Sequence, residues 1–191
     1  MNKLLLKSLL IFIAFIGLVT TQTTAQTSWE FKDAATGTAV WSETSNLTSV
    51  QKSNSVVYTT TEGDNPYIKT TSANIQTNGT LGNIDATSSS RRLFAITMRV
   101  SAGGPTLLRV VYPGILSSNY YRNIALTADG NFRTYYVDLT RSNVNENRYK
   151  DWYGIKDVFT LQFKVEDAVL DGGAPYNNAG ATIEIDRIEF V

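Results

Sequence analysis

Two stretches of this sequence alternate apolar and polar side chains with a period of two, and no stretch of a dozen residues shows helical spacing. Phe94, Ile96, Met98 and Val100 are separated by Ala95, Thr97 and Arg99, and Phe159, Leu161, Phe163 and Val165 by Thr160, Gln162 and Lys164. Successive strand side chains point to opposite faces of a sheet, so this pattern buries one face and wets the other. Threonine, β-branched and aromatic residues suit such a surface and predict further strands at 29–32, 47–51, 55–60, 67–70, 107–112, 121–127, 132–139 and 182–190. Turn signals separate them at Gly63-Asp64-Asn65-Pro66, Asn78-Gly79, Ala102-Gly103-Gly104-Pro105, Asp129-Gly130 and Asp171-Gly172-Gly173, where Gly, Asn and Asp supply positive φ and Pro a fixed φ. Short strands with this punctuation predict an all-β fold, a two-sheet antiparallel β-sandwich or jelly roll.

The N-terminus reads differently. Lys3 and Lys7 precede an apolar run from Leu9 to Val19, and Thr23-Thr24-Ala25 forms a small-residue exit. These are the parts of a secretory signal, and the run is shorter than the roughly 20 residues of a membrane span. The expectation is a signal peptide at 1–25, one domain at 26–191, and a secreted product, extracellular or periplasmic, with no membrane partner after cleavage. Of 191 residues, 191 − 25 = 166 then remain, enough for one well-buried core.

Charge and composition exclude much chemistry. Without Lys3 and Lys7, 15 basic residues face 17 acidic ones, so nucleic acid, which demands massed Lys and Arg, is not an expected partner. Cysteine and histidine are both absent. That rules out thiolate nucleophiles, Ser-His-Asp triads and His- or Cys-ligated zinc. A metal would have to be a hard cation on oxygen ligands, which outside a cell means calcium.

The wet sides of the two clearest strands carry Thr97, Arg99, Thr160, Gln162 and Lys164, a bed for a polar, neutral or weakly acidic ligand or an ordinary solvated face. Tyr112, Tyr120 and Tyr121 bracket the segment 113–119, and Arg122 follows. With Trp152 they are candidates for stacking on sugar rings, whose apolar faces suit flat side chains. Trp29, Phe31 and Trp41 fit core packing better, and one of Tyr135 and Tyr136 must turn inward. Arg99 and Arg109, if they share a facing on adjacent strands, would form a cationic strip for carboxylates or sulfates.

The chain resembles the galactose-binding-like β-jelly rolls, particularly the carbohydrate-binding-module-like domains of exported bacterial glycan-processing proteins. The resemblance rests on Trp29-Glu30-Phe31 with Trp41, Asp64-Asn65-Pro66-Tyr67-Ile68, the strand Leu93–Val100, the run from Asn131 to Leu139, Trp152-Tyr153-Gly154-Ile155 with Leu161, and Gly180 through Ile188. It implies a sandwich with sugar bound on a sheet face or in end loops. It often implies a structural Ca2+ tying the N-terminal segment to the last strand, for which Asp33 and Asp186 are the positions carried over, with Glu30 a weaker third.

The ligand-binding set expected is therefore Tyr112, Tyr120, Arg122, Trp152, Arg99 and Gln162, the metal set Asp33 and Asp186, and the partner a glycan or polysaccharide bound without catalysis. A structural or adhesive surface protein is the alternative. An enzyme ranks third: Glu184-Ile185-Asp186-Arg187-Ile188-Glu189 matches by spacing the two-carboxylate strand motif of laminarinase-type glycoside hydrolases, and a polysaccharide lyase would lack its commonest histidine.

Overall fold

The computed structural model describes residues 28–32, 38, 40–70, 84–85, 92–113, 119–141, 152, 155–156, 158–169 and 171–191. These contain fourteen strands and no helix: β1 (Ser28–Glu30), β2 (Glu43–Ser45), β3 (Leu47–Gln51), β4 (Val56–Thr60), β5 (Tyr67–Lys69), β6 (Ile84–Asp85), β7 (Leu93–Val100), β8 (Leu107–Pro113), β9 (Asn119–Ala125), β10 (Arg133–Asp138), β11 (Ile155–Lys156), β12 (Thr160–Val165), β13 (Ala174–Pro175) and β14 (Thr182–Phe190). All ten expected strands are present. Those not foreseen, β2, β6, β11 and β13, are two or three residues long.

The first sheet runs β10-β7-β14-β4-β3, and the second β2-β5-β12-β8-β9. β1 adds to the first along β14, β13 adds to the second along β12, and β6 and β11 form a separate pair. Every pairing is antiparallel. The expected two-sheet sandwich is the one found.

The inner faces are the apolar sets read from the alternation. Ile96, Met98 and Val100 of β7, with Ile183, Ile185 and Ile188 beside them on β14, lie on the inner face of the first sheet, and Leu161 and Phe163 of β12 with Leu108 and Val110 of β8 on that of the second, all fully buried. Phe190, near the end of β14, lies at the centre of an aromatic cluster. Its ring centroid is 4.7 Å from Phe159, 5.4 Å from Phe94, 5.8 Å from Trp29 and 6.0 Å from Trp152, the last nearly parallel at 7°. Trp41 closes on Trp29 at 6.0 Å. Trp29, Phe31 and Trp41 are thus core residues, as expected. Of the adjacent tyrosines, Tyr135 packs on the core and Tyr136 stands outside.

β14 carries a register shift between Ile185 and Arg187. Before it Ile183 and Ile185 point inward; after it Ile188 and Phe190 do. The extra residue of a bulge resets the facing, which explains why Arg187 sits amid an apolar run without breaking it. β4 pairs with β14 before the bulge and β1 after it, and Phe31 N–H donates to the Asp186 carbonyl at 2.8 Å where the two meet.

Turns fall where expected. Gly63, Asn65, Gly103, Gly130, Asp171 and Gly172 all have positive φ, while Asn78-Gly79 lies outside the described residues. Gly104 is required for space: a Cβ there would stand 2.5 Å from the Val100 Cγ1, so the chain can pass from β7 to the other sheet only over a bare backbone.

Two buried tyrosines should respond oppositely to loss of their hydroxyl. Tyr112 donates to the Leu139 carbonyl at 2.9 Å, whereas the Tyr58 hydroxyl has no partner among the described residues and burial pushes its pKa up. An unmet buried hydroxyl is a cost. Chemical denaturation is expected to show Tyr112→Phe destabilised by about 1 kcal/mol and Tyr58→Phe unchanged or stabilised.

Candidate functional site

Outward side chains of the second sheet line up across its strands by register. One row is Ser45, Tyr67, Gln162, Arg109 and Asn123; the next is Glu43, Lys69, Thr160, Val111 and Tyr121. Paired strands lie about 4.8 Å apart, so the strands that carry Tyr67 and Tyr121 are three spacings, about 14 Å, from each other, with those of Gln162 and Arg109 between them.

Arg109 organises one side of this face. Its guanidinium lies 3.9 Å from the Tyr121 ring centroid, its Nε donates to Asn123 Oδ1 at 2.9 Å, and its Nη2 donates to the Asp171 carbonyl at 3.3 Å. The Asn123 amide donates to the same carbonyl at 2.9 Å, and the Tyr121 hydroxyl donates to the Asp171 carboxylate. Gly173 packs directly on this guanidinium, since a Cβ there would stand 2.4 Å from Nη2. The cation is thus held flat on the ring, and its Nη1 donors keep no protein partner among the described residues. The Gln162 amide, half-buried in the middle of the row, likewise has none.

Lys164, 6% exposed, lies under the same loop and donates to Asn65 Oδ1 at 2.6 Å. Burial, and secondarily the Arg109 charge, pushes its pKa down. At the far edge Lys69 pairs with Glu43 at 3.0 Å. What remains open is a strip of hydroxyl, amide and guanidinium groups bounded by two aromatic rings.

The expected site residues divide. Gln162 stands on this strip. Tyr112 and Trp152 are 1% and 2% exposed, with centroids 5.3 Å apart in the core. Rings so placed have no face for a sugar. Tyr120, opposite Tyr112, also turns toward the core. Arg122 pairs with inward-facing Val110 at the edge strand β9, and its Nε is buried without a partner among the described residues. Tyr112, Tyr120 and Arg122 are close in sequence to the sheet's open face, but alternation sends Tyr121 and Asn123 outward and Tyr120 and Arg122 inward. Residues 114–118 lie outside the described residues. Tyr67, Arg109, Tyr121 and Asn123 were missed as a group because the strand order that aligns them is not local in sequence.

Arg99 belongs to the other sheet, so the strip imagined for Arg99 and Arg109 does not exist. β7 and β8 are consecutive but lie in different sheets. On the outer face of the first sheet, Arg99 Nε and Nη2 donate to Glu184 Oε2 at 2.9 and 2.6 Å, Lys52 Nζ donates to it at 3.2 Å, and the Ser55 hydroxyl donates to Oε1 at 2.6 Å. Burial works to raise the Glu184 pKa, and the bonds from Ser55, Arg99 and Lys52 outweigh it, holding the carboxyl below the usual glutamate range. A carboxylate kept ionised by two cations is a poor proton donor, and Glu189 is itself 3.6 Å from Arg187. Glu184, the first carboxylate of the motif, is thus engaged by three donors, and Glu189 lies beside a cation.

Asp186 sits at the bulge, with its carbonyl taken by Phe31. Asp33 lies outside the described residues. Among the described residues no three acidic side chains converge on a metal position.

No protein-family model matches the sequence, and no curated protein matches it. Among solved structures, the agarase AgWH50C matches with a TM-score of 0.55 at 11% identity, over 87% of this chain and 25% of the agarase chain, so this protein spans a quarter of that enzyme's length. A mutant of the family 29 carbohydrate-binding module CBM29-2 complexed with cellulohexaose gives 0.46 at 10% identity over 85% of this chain and 89% of that one. Another family 29 module gives 0.41 at 11% identity over 76% and 74%. The two-sheet sandwich that the sequence resemblance implied is thus a fold shared with part of the agarase chain.

A folded-state pKa held down contributes stability above the unfolded glutamate value of about 4.3 and loses it as pH falls through the folded value. Wild type should therefore lose stability on acidification below about pH 4 more steeply than Glu184→Gln. At neutral pH the variant should be about 1 kcal/mol less stable, since Arg99 and Lys52 are half-exposed and remain hydrated. Urea titrations at a series of pH values check both.

Proposed function

We propose that this is an exported, non-catalytic glycan-binding protein that receives a polysaccharide on the outer face of the second sheet. One observation carries the reading: the cross-strand row Tyr67–Gln162–Arg109–Asn123, with Tyr121 beneath Arg109, offers two aromatic side chains on strands about 14 Å apart and, among the described residues, unengaged amide and guanidinium donors between them. Aromatic rings meet the apolar faces of sugar rings, and the polar groups meet hydroxyls. The span suits several units of a chain rather than one. The presence of this fold within an agarase accords with a polysaccharide partner. Export is inferred from the N-terminal pattern of Lys3, Lys7 and the apolar run from Leu9 to Val19.

Titration calorimetry against plant, algal and bacterial polysaccharides tests the reading. Stacking on an aromatic platform is worth about 1–3 kcal/mol per ring, so Tyr67→Ala and Tyr121→Ala should each weaken binding about 5- to 150-fold. Gln162→Ala should weaken it less, by about 0.5–1.5 kcal/mol. All three should keep the wild-type circular dichroism. Unchanged affinity in both tyrosine variants would remove this face from consideration.

A structural calcium joining the first strand to the last is a proposal that competes for the Asp186 carboxylate with any other ligand there, and it rests on the resemblance and on the meeting of β1 and β14 at Asp186. If it is bound, EGTA should lower Tm and added Ca2+ restore it, with Asp186→Asn weakening the response. An identical Tm in EGTA and in calcium would dispose of it.

A further inference from the structure

The outer face of the first sheet carries a depression of about 320 Å³ lined by Asn54, Ser55, Thr97, Phe132, Glu184 and Asp186. Its place is opposite the polysaccharide face, with the whole core between them. That volume is at the small end of ligand pockets.

Phe132 is 44% exposed, although its ring is fixed: the Arg99 guanidinium lies 4.8 Å from its centroid. Arg99 is fixed in turn by its two bonds to Glu184. An aromatic held open by a cation–π contact presents apolar surface at the rim of a polar hollow. Thr97 and Thr134 share a hydroxyl–hydroxyl bond of 2.9 Å beside it. Across the hollow, the Asp186 carboxylate and the Asn54 amide have no hydrogen-bond partner among the described residues. The bulge is what brings Asp186 here, because the extra residue turns both Asp186 and Arg187 away from the core.

The charges decide the ligand class. Arg99 and Lys52 are both committed to Glu184, so the ionic group left unengaged in the lining is Asp186. A carboxylate accepts from hydroxyl hydrogens and repels another anion, while the ring favours an apolar face. We propose that this depression is a second, independent site, for a single neutral pyranose unit such as a chain end or branch, held over Phe132 with its hydroxyls on Asp186 and Asn54. An acidic sugar is disfavoured here, whereas the opposite face keeps the free donors of Arg109. The protein would then grip one glycan chain along its length and another by its end.

The test is a heteronuclear NMR titration of the purified protein with d-galactose, d-glucose, d-glucuronate and cellotetraose. The neutral monosaccharides should shift amides at Asn54, Thr97, Phe132 and Asp186, and glucuronate should shift them roughly tenfold less at equal concentration. Phe132→Ala and Asp186→Asn should each weaken the response at these positions roughly tenfold, and Tyr67→Ala should leave it as in wild type. Asp186→Asn guards against misreading a packing effect of Phe132→Ala, since it removes charge while keeping shape. Three outcomes would overturn the inference: no shifts around Phe132 with either neutral monosaccharide, glucuronate binding as well as glucose, or loss of these shifts in Tyr67→Ala. Shifts confined to Tyr67, Gln162 and Asn123 overturn this site and leave the proposed polysaccharide face standing; shifts confined to the Phe132 hollow do the reverse.

Discussion

The contact on which the rest of the molecule depends is the meeting of aromatic rings around Phe190. This residue ends the longest strand of the first sheet, and its ring touches Phe159 from the approach to β12 as well as Phe94, Trp29 and Trp152. With no cysteine in the sequence to join the sheets by a disulfide, large buried rings do that work. Each removes substantial apolar surface from water and adds the edge-to-face or offset attraction of aromatic pairs. The cost is that Trp152 and Tyr112 are used up inside, and none of their surface remains for a ligand.

A second constraint is the bulge at Asp186. By resetting the facing of β14, it lets one strand keep Ile183, Ile185, Ile188 and Phe190 inward while serving two partners along a single edge, β4 and then β1. The N-terminal segment therefore docks at the point where the regular ladder breaks, and Phe31 N–H satisfies the carbonyl exposed there. A carboxylate, Asp186, is turned outward at the same point. Binding features placed at a bulge are reached by a backbone that local packing holds rigid.

The two outer faces differ in how their charges are satisfied. On the first sheet Glu184 gathers Arg99, Lys52 and Ser55 into one closed knot. On the second, Arg109 is pinned by a ring, an amide, a backbone carbonyl and a bare Gly173, but no carboxylate lies within ion-pair reach of it among the described residues. Paired charge stiffens a face; a pre-positioned cation with open donors is available to bind.

Periodicity and residue type were enough to read the class of fold, ten of the strands, most turns and much of the inward set, because strand side chains alternate whatever the strand pairs with. Residues such as Phe94, Ile96, Leu161 and Phe163 could be assigned to the core from their spacing alone, and Gln162 to a wet face. Strand order is a different kind of fact. Tyr67, Gln162, Arg109 and Asn123 become neighbours only when β5, β12, β8 and β9 pair in that order, and Arg99 parts from Arg109 only when β7 and β8 enter different sheets. Pairing is decided by burial of whole faces and by the aromatic cluster between them, not by any local signal. Alternation therefore settles which side chains meet water, and the tertiary structure settles which of them meet one another.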